Sequence, residues 1–202
     1  MKELKRKANH QTVMLILASA SEGRKLILEE LGTSFFVDVS NIDEASFNIS
    51  DVEKLVMSLA TEKAFSVAKK YKDAIVIGAD TVVYHQGEII GKPLNGKEAE
   101  KILLKLSDST HQVITGVTLV DVRQNRVVRA KNISDVTFVP IPLSDIKKYV
   151  ATGEAMGRSG AYASQGLASK FIKTIVGDPT NVVGLPKDTL LTLFGELELY
   201  LG

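Results

Sequence analysis

The run Val13-Met-Leu-Ile-Leu-Ala18 is continuously apolar between polar flanks and reads as a strand covered on both faces. Ser19-Ala-Ser21 follows at once. Ser21 is placed to cap a helix from Glu22 to Leu31, with Leu26, Ile27 and Leu31 inward and Gly32 at the stop position. Phe35 to Val39 reads as a second strand, leading through Asn41-Ile-Asp-Glu44 to a helix from about Asp51 to Tyr71. Val52, Leu55, Val56, Leu59, Ala60, Ala64, Val67 and Ala68 recur at helical spacing along it. Ala74 to Val83 reads as a long strand that turns near Gln86-Gly87 into Glu88-Ile-Ile90. A helix is expected over Lys97 to Leu106, then a hairpin from His111 to Val122 and Arg126 to Arg129, and a further strand over Asp135 to Val139. Ser144 is read as the cap of a short helix ending at Gly153, and Asp188 to Leu201 as the final helix. Between them, Glu154 to Pro186 is glycine-rich with short apolar pieces, the pattern of binding loops around brief strands. Early crossovers followed by hairpins predict an α/β fold: a mixed twisted sheet with flanking helices.

Composition narrows the partners. The 202 residues carry 25 Lys+Arg against 24 Asp+Glu, a net charge of +1, which lacks the electrostatic pull of general duplex nucleic-acid or anionic-membrane binders. The chain has no cysteine, so disulfides, zinc ribbons and thiol catalysis are excluded, and His10, His85 and His111 are too scattered for a His-Glu-x-x-His zinc site. Met1 to Thr12 is basic and polar, and the apolar run after it is too short for a signal or membrane segment. One domain over residues 1–202 in the cytoplasm is expected, with residues 1–12 as a mobile extension. No repeat or low-complexity linker divides it.

Leu17 to Lys25 brings a strand end, hydroxyls and a helix N-terminus together, the arrangement that offers backbone N–H groups to an anion. The alternative is a capped surface helix with solvated Arg24 and Lys25. Lys63 falls inside the apolar stripe of its helix, between Leu59, Ala60, Val56 and Val67, and a buried ammonium needs an anionic partner. Otherwise it snorkels along the helix edge. Asp80 interrupts an apolar strand, where burial demands a cation, a metal or hydrogen bonds, including backbone amides at a bend after Gly78. Glu44 offers a second hard oxygen ligand suited to Mg²⁺, or is a solvated loop acid. Gly91-Lys92-Pro93 sets another lysine at a rigid turn, but Gly87 to Lys92 has three residues between glycines where a P-loop has four, and Pro93 replaces its hydroxyl. Neither a Gly-x-Gly-x-x-Gly fingerprint nor a Gly-x-Ser-x-Gly elbow is present, so Ser19 and Ser21 read as binders.

Ser19-x-Ser21-x-x-Arg24, Leu59-Ala-Thr-Glu-Lys63-Ala, Gly78-Ala-Asp80-Thr-Val-Val, Gly91-Lys92-Pro93, Thr115-Gly-Val, Gly160-Ala-Tyr-Ala-Ser-Gln165-Gly and Asn181-Val-Val-Gly-Leu-Pro186 occur in this order. With them, the chain resembles the Maf family over roughly residues 13–188. The resemblance implies a fold similar to the inosine triphosphatase-like fold, two lobes around a cleft, and often a homodimer. It implies a nucleoside triphosphate pyrophosphatase that uses a divalent metal, Mg or Mn, to give a monophosphate and pyrophosphate. By the same resemblance Ser19, Ser21, Arg24, Lys63 and Lys92 hold the triphosphate, Glu44 and Asp80 bind the metal, and Asp80 is the catalytic residue that orients or deprotonates water. Gln165 is similar to the dTTP/UTP branch, where the 7-methyl-GTP branch usually has Glu; its amide can pair with a pyrimidine edge, or else stabilises a glycine-flanked turn.

Three positions depart from the family pattern. Glu22-Gly23 precede Arg24 where the family usually has Pro-Arg-Arg, and Gly157-Arg158 stand where it tends to have Asp-Lys. A phosphate-binding cation and a carboxylate are thereby missing. Two other functions stay open on the residues: a non-catalytic nucleotide- or nucleic-acid-binding regulator of cell division, and a purine pyrophosphatase of the ITP or 7-methyl-GTP type.

Overall fold

The computed structural model describes residues 2–202. In chain order the elements are β1 (Leu4–Arg6), β2 (Leu15–Leu17), α1 (Glu22–Glu30), β3 (Phe36–Val37), a 3-10 turn (Glu44–Ser46), α2 (Val52–Ala68), β4 (Ile75–His85), β5 (Glu88–Ile90) and α3 (Gly96–Leu106). There follow β6 (Thr110–Asp121), β7 (Arg126–Phe138), α4 (Leu143–Ala151), 3-10 turns at Ser159–Ala161 and Leu167–Phe171, β8 (Ile172–Val176), α5 (Pro179–Val183), α6 (Lys187–Glu196) and β9 (Leu199–Leu201).

Seven strands form one sheet in the order β3-β2-β4-β6-β7-β8, with β5 beside β4; β1 and β9 form a separate pair. β2 runs parallel to β3 and β4, whereas β5 is antiparallel to β4 and β8 to β7, so the sheet is mixed as expected. The wholly buried β2 explains its unbroken apolar sequence. Contacts divide the chain into two compact units. The first holds residues up to Asp80, Thr115–Asn132 and Gly184–Gly202; the second holds Thr81–Ile114 and Ile133–Val183. The core of the second gathers Leu103, Leu106, Val113, Val136, Phe138, Tyr149, Tyr162 and Phe171.

Several expectations are corrected. The last helix ends at Glu196, and Leu199–Leu201 is a strand whose Leu201 faces Leu4 in β1. Local periodicity carries no information about that distant partner, so the short apolar run reads as more helix. Ser144 lies inside α4, and Pro142 occupies the cap position with φ −59° and ψ 140°. Asp135 to Val139 is no separate strand, because β7 continues unbroken to Phe138. On α1 the buried residues include Ile27 and Leu28, while Leu26 is exposed. Ser21 takes the cap position of α1, yet its side chain makes no cap hydrogen bond; Asp51, by contrast, accepts from the Glu53 and Lys54 amides to start α2.

Within the segment expected to extend from the domain, Arg6 is buried and its guanidinium grips the wholly buried Asp121, with Nη2 3.0 Å from Oδ1. Burial pushes the Asp121 carboxyl up, but the Arg6 hydrogen bonds and charge, with the Gln124 and Arg123 amides, hold it below the usual range. Removing one member of a buried pair strands the other charge. Arg6→Ala is therefore expected to lower stability by about 3–5 kcal/mol in urea unfolding, and Arg6→Met with Asp121→Leu to recover most of it. A single-variant loss below about 1 kcal/mol would contradict the account.

Candidate functional site

Helix α2 reaches the sheet so closely that two strand positions must lack a side chain. A Cβ on Gly78 in β4 would lie 2.1 Å from the Ala60 carbonyl oxygen and 2.6 Å from the Ala64 amide nitrogen. One on Gly116 in β6 would lie 2.6 Å from the Val56 carbonyl oxygen. Val56, Leu59, Ala60, Ala64 and Val67 fill the interface, and the Thr61 hydroxyl meets that of Thr118 at 3.0 Å. Backbone contact of this kind fixes the helix along and across the strand. It also decides where Lys63 ends.

Lys63 does not snorkel. It is 7% exposed, and its ammonium donates to Asp80 Oδ1 at 2.7 Å and meets Glu44 Oε1 at 2.8 Å. Asp80 is likewise 7% exposed, so its buried charge is compensated by a cation. Glu44 arrives from the 3-10 turn after β3, where the Asp43 carboxylate accepts from the Ala45 amide and starts the turn. Among the described residues no group of three or more His, Cys, Asp or Glu is placed to hold a metal ion.

Beyond the end of β2, Ser19 and Arg24 are both buried. Arg24 is not the solvated helix residue of the alternative reading: Nη1 donates to Ser19 Oγ at 2.8 Å and Nε to the Gly184 carbonyl at 2.9 Å. Ser19 Oγ also accepts from the Ser21 amide at 3.2 Å. Burial pushes the Arg24 guanidinium below its ordinary pKa, and the charges of Asp80 and Glu44 oppose that shift. Ser19, Ser21, Arg24, Glu44, Lys63 and Asp80 thus all belong to the first unit, and Arg24 and Lys63 both feel the same two acids. Ser19 and Glu44 follow the carboxyl ends of parallel strands β2 and β3, the side where open α/β sheets bind ligands. Glu22 lies at the solvated mouth of α1, paired with Lys25 at 2.7 Å.

Lys92 and Gln165 lie in the second unit, and both are exposed. Lys92 follows β5, and Gln165 lies between the 3-10 turns at Ser159–Ala161 and Leu167–Phe171. The segment leading to Gln165 bends through positive φ at Gly157 (74°), Gly160 (71°) and Ala161 (59°). The left-handed conformation costs a non-glycine residue such as Ala161 roughly 1–2 kcal/mol, so the surroundings must hold it. Ser159 Oγ donates to the Thr81 carbonyl at 3.2 Å, and the Gly160 amide to the Gly91 carbonyl at 3.1 Å. Tyr162 Oη and His111 Nε2 are 2.8 Å apart. At the far end the Glu154 carboxylate accepts from the Leu167 and Ala168 amides, filling the space a Gly166 side chain would need.

Sequence reasoning missed Gly78 and Gly116 as packing positions, Glu154 as a loop anchor, and His111 and Tyr162 as partners. Glycine inside a strand pattern is a signal of close backbone approach and marks the first two. No local signal marks the others, since they meet across long sequence separations.

A mixed sheet with buried cations, acids and hydroxyls around strand ends defines an α/β protein with a polar cluster on the side where such sheets bind ligands. The chain belongs to the Maf family: residues 14–197 match the family model described as "Maf-like protein". It is similar to proteins named dTTP/UTP pyrophosphatase. That of Halalkalibacterium halodurans is 42% identical over 172 residues, covering 85% of this chain and 90% of the relative. That of Symbiobacterium thermophilum is 44% identical over 184 residues, covering 90% and 94%. That of Alkaliphilus metalliredigens is 47% identical over 174 residues, covering 85% and 90%.

Gly78→Ala is expected to cost about 1–3 kcal/mol in thermal unfolding, the range for forcing atoms into a packed interior. Gly91→Ala, with nothing within 4 Å of its Cβ, is the control and stays near wild type. Equal stability of both variants would refute backbone contact as the determinant of α2.

Proposed function

We propose that this protein is a nucleoside triphosphate pyrophosphatase that hydrolyses the α–β phosphate bond of dTTP, UTP and related modified pyrimidine nucleotides, releasing monophosphate and pyrophosphate. The observation that carries the reading is Lys63 between Asp80 and Glu44, with Arg24 under the same two carboxylates, in a chain whose relatives bear that activity in their names. In this reading Ser19, Ser21, Arg24, Lys63 and Lys92 hold the phosphates and neutralise the charge that grows as pyrophosphate leaves. Phosphoryl transfer depends chiefly on such positioning and electrostatic stabilisation. Arg24, locked onto Ser19 and Gly184, is oriented before substrate arrives.

The donor set fits a divalent cation. Two carboxylate oxygens lie within 2.8 Å of one ammonium nitrogen, and Mg²⁺ is commonly bound by one or two carboxylates with substrate phosphates and waters completing the shell. Glu44 and Asp80 would hold Mg or Mn. The bound ion supplies charge neutralisation at the phosphates and a more acidic water. Asp80, oriented by Lys63, serves as the catalytic residue that aligns or deprotonates the attacking water. Gln165 reads the pyrimidine edge through its paired donor and acceptor.

A homodimer working in the cytoplasm belongs to the same proposal and rests on the family resemblance. No helix among the described residues is long and apolar enough to cross a membrane.

The test is to incubate the protein with Mg²⁺ or Mn²⁺ and dTTP, UTP, CTP, 7-methyl-GTP or ITP, measuring monophosphate and pyrophosphate together. Turnover should be highest with dTTP and UTP, and Asp80→Asn should reduce it about 10²–10³-fold, the scale for losing a transition-state charge partner. Gln165→Glu should erode dTTP and UTP use relative to other bases. No turnover of any nucleotide would reject the enzyme and favour a binding regulator; fastest ITP or 7-methyl-GTP turnover would move the substrate to purines.

A further inference from the structure

We propose that His111 is a positioning residue for base selection, acting through its hydrogen bond to Tyr162 to seat the 157–166 loop that carries Gln165. The inference rests on the reading of Gln165 as the base-contacting residue. His111 is 1% exposed and Tyr162 is 6% exposed, so this bond lies inside the second unit. Phe138 packs edge-on against both rings, with centroids 5.0 Å from His111 and 4.9 Å from Tyr162. The bond thus has a fixed direction in surroundings that exclude water.

The segment it holds needs holding. Ala161, next to Tyr162, is wholly buried in the left-handed region, and such a conformation persists only where the surroundings over-determine it. Three tethers meet there: Ser159 to Thr81, Gly160 to Gly91, and Tyr162 to His111. Of these, the last holds the side of the strained residue that leads on to Gln165, three residues beyond Tyr162. Gly160 cannot take a side chain at this seat, since its Cβ would lie 2.8 Å from Val83 Cγ2.

His111 is suited to this task across ordinary pH. Burial pushes its pKa down to about 4, with a smaller contribution from His85, so the ring stays neutral. Its Nδ1 is buried without a hydrogen-bond partner in the structure. Either neutral tautomer makes the bond: Nε2 donates to Tyr162 Oη or accepts its hydroxyl hydrogen. The groups facing it are therefore a phenol, an aromatic ring and the more distant His85, whose Nδ1 is 3.1 Å from the Thr110 carbonyl.

Tyr162→Phe removes the hydroxyl and keeps the ring packing. It is expected to raise KM for dTTP and UTP about tenfold, the size of one lost hydrogen bond, and to reduce the preference for them over CTP. kcat should change less than about threefold, because the phosphate-binding groups of the first unit are untouched. Amide hydrogen exchange at residues 159–165 should accelerate. His111→Gln, which retains both a donor and an acceptor, should fall between wild type and His111→Ala in both readouts. A purely structural role would lower the unfolding temperature of Tyr162→Phe without moving the KM-to-kcat split or the base preference; that result, or unchanged exchange, overturns the proposal. If the wild-type protein turns over neither dTTP nor UTP, the pyrimidine reading fails and base selection falls with it, while the exchange measurement still decides whether His111 seats the loop.

Discussion

The seating of α2 against glycine positions in β4 and β6 is the constraint on which the rest of the first unit turns. Ala60 and Ala64 present little more than backbone to Gly78, and Val56 presents its carbonyl to Gly116. At that separation Lys63, buried among the same apolar residues, reaches Asp80 and Glu44. A side chain at either glycine would push the helix away and lengthen both ion pairs. The chemistry of the cluster is therefore a consequence of packing.

Magnitudes argue against treating that cluster as a source of stability. Opposite charges about 4 Å apart attract by about 4 kcal/mol at an effective dielectric constant near 20, whereas withdrawing each ion from water costs several kcal/mol. Lys63 and Asp80, each 7% exposed, incur most of that cost, so their pairing approaches break-even and its worth lies in orientation. Arg24 follows the same logic: burial opposes its charge, two acids support it, and hydrogen bonds to Ser19 and Gly184 fix its plane. Preorganised charge of this kind suits a polyanionic ligand, because little remains to be rearranged when it binds.

The second unit uses a different device. Its aromatic core of His111, Phe138, Tyr149, Tyr162 and Phe171 packs edge-to-face, and from that core a short strained segment leads toward Gln165. Glycine at positions 157, 160 and 166 allows the turns and close approaches, while Glu154 and His111 tie down the two ends. The exposed loop that carries Gln165 is thus anchored on a buried aromatic interior.

Period and composition already determined much of this protein. The buried β2, the helix start at Asp51, the apolar stripe enclosing Lys63 and the mixed sheet were legible because each follows from local spacing or from the cost of burying charge. The order of short motifs identified the family, and relatives over most of the chain agree. Tertiary structure alone decided that Leu199–Leu201 pairs with β1, that Ser21 leaves the α1 cap unbonded, that Arg24 clasps Ser19 and Gly184, and that His111 meets Tyr162. Periodicity reports which face of an element is apolar, but a strand partner or a hydrogen bond spanning tens of residues depends on how separate elements pack, and no local pattern contains that distance.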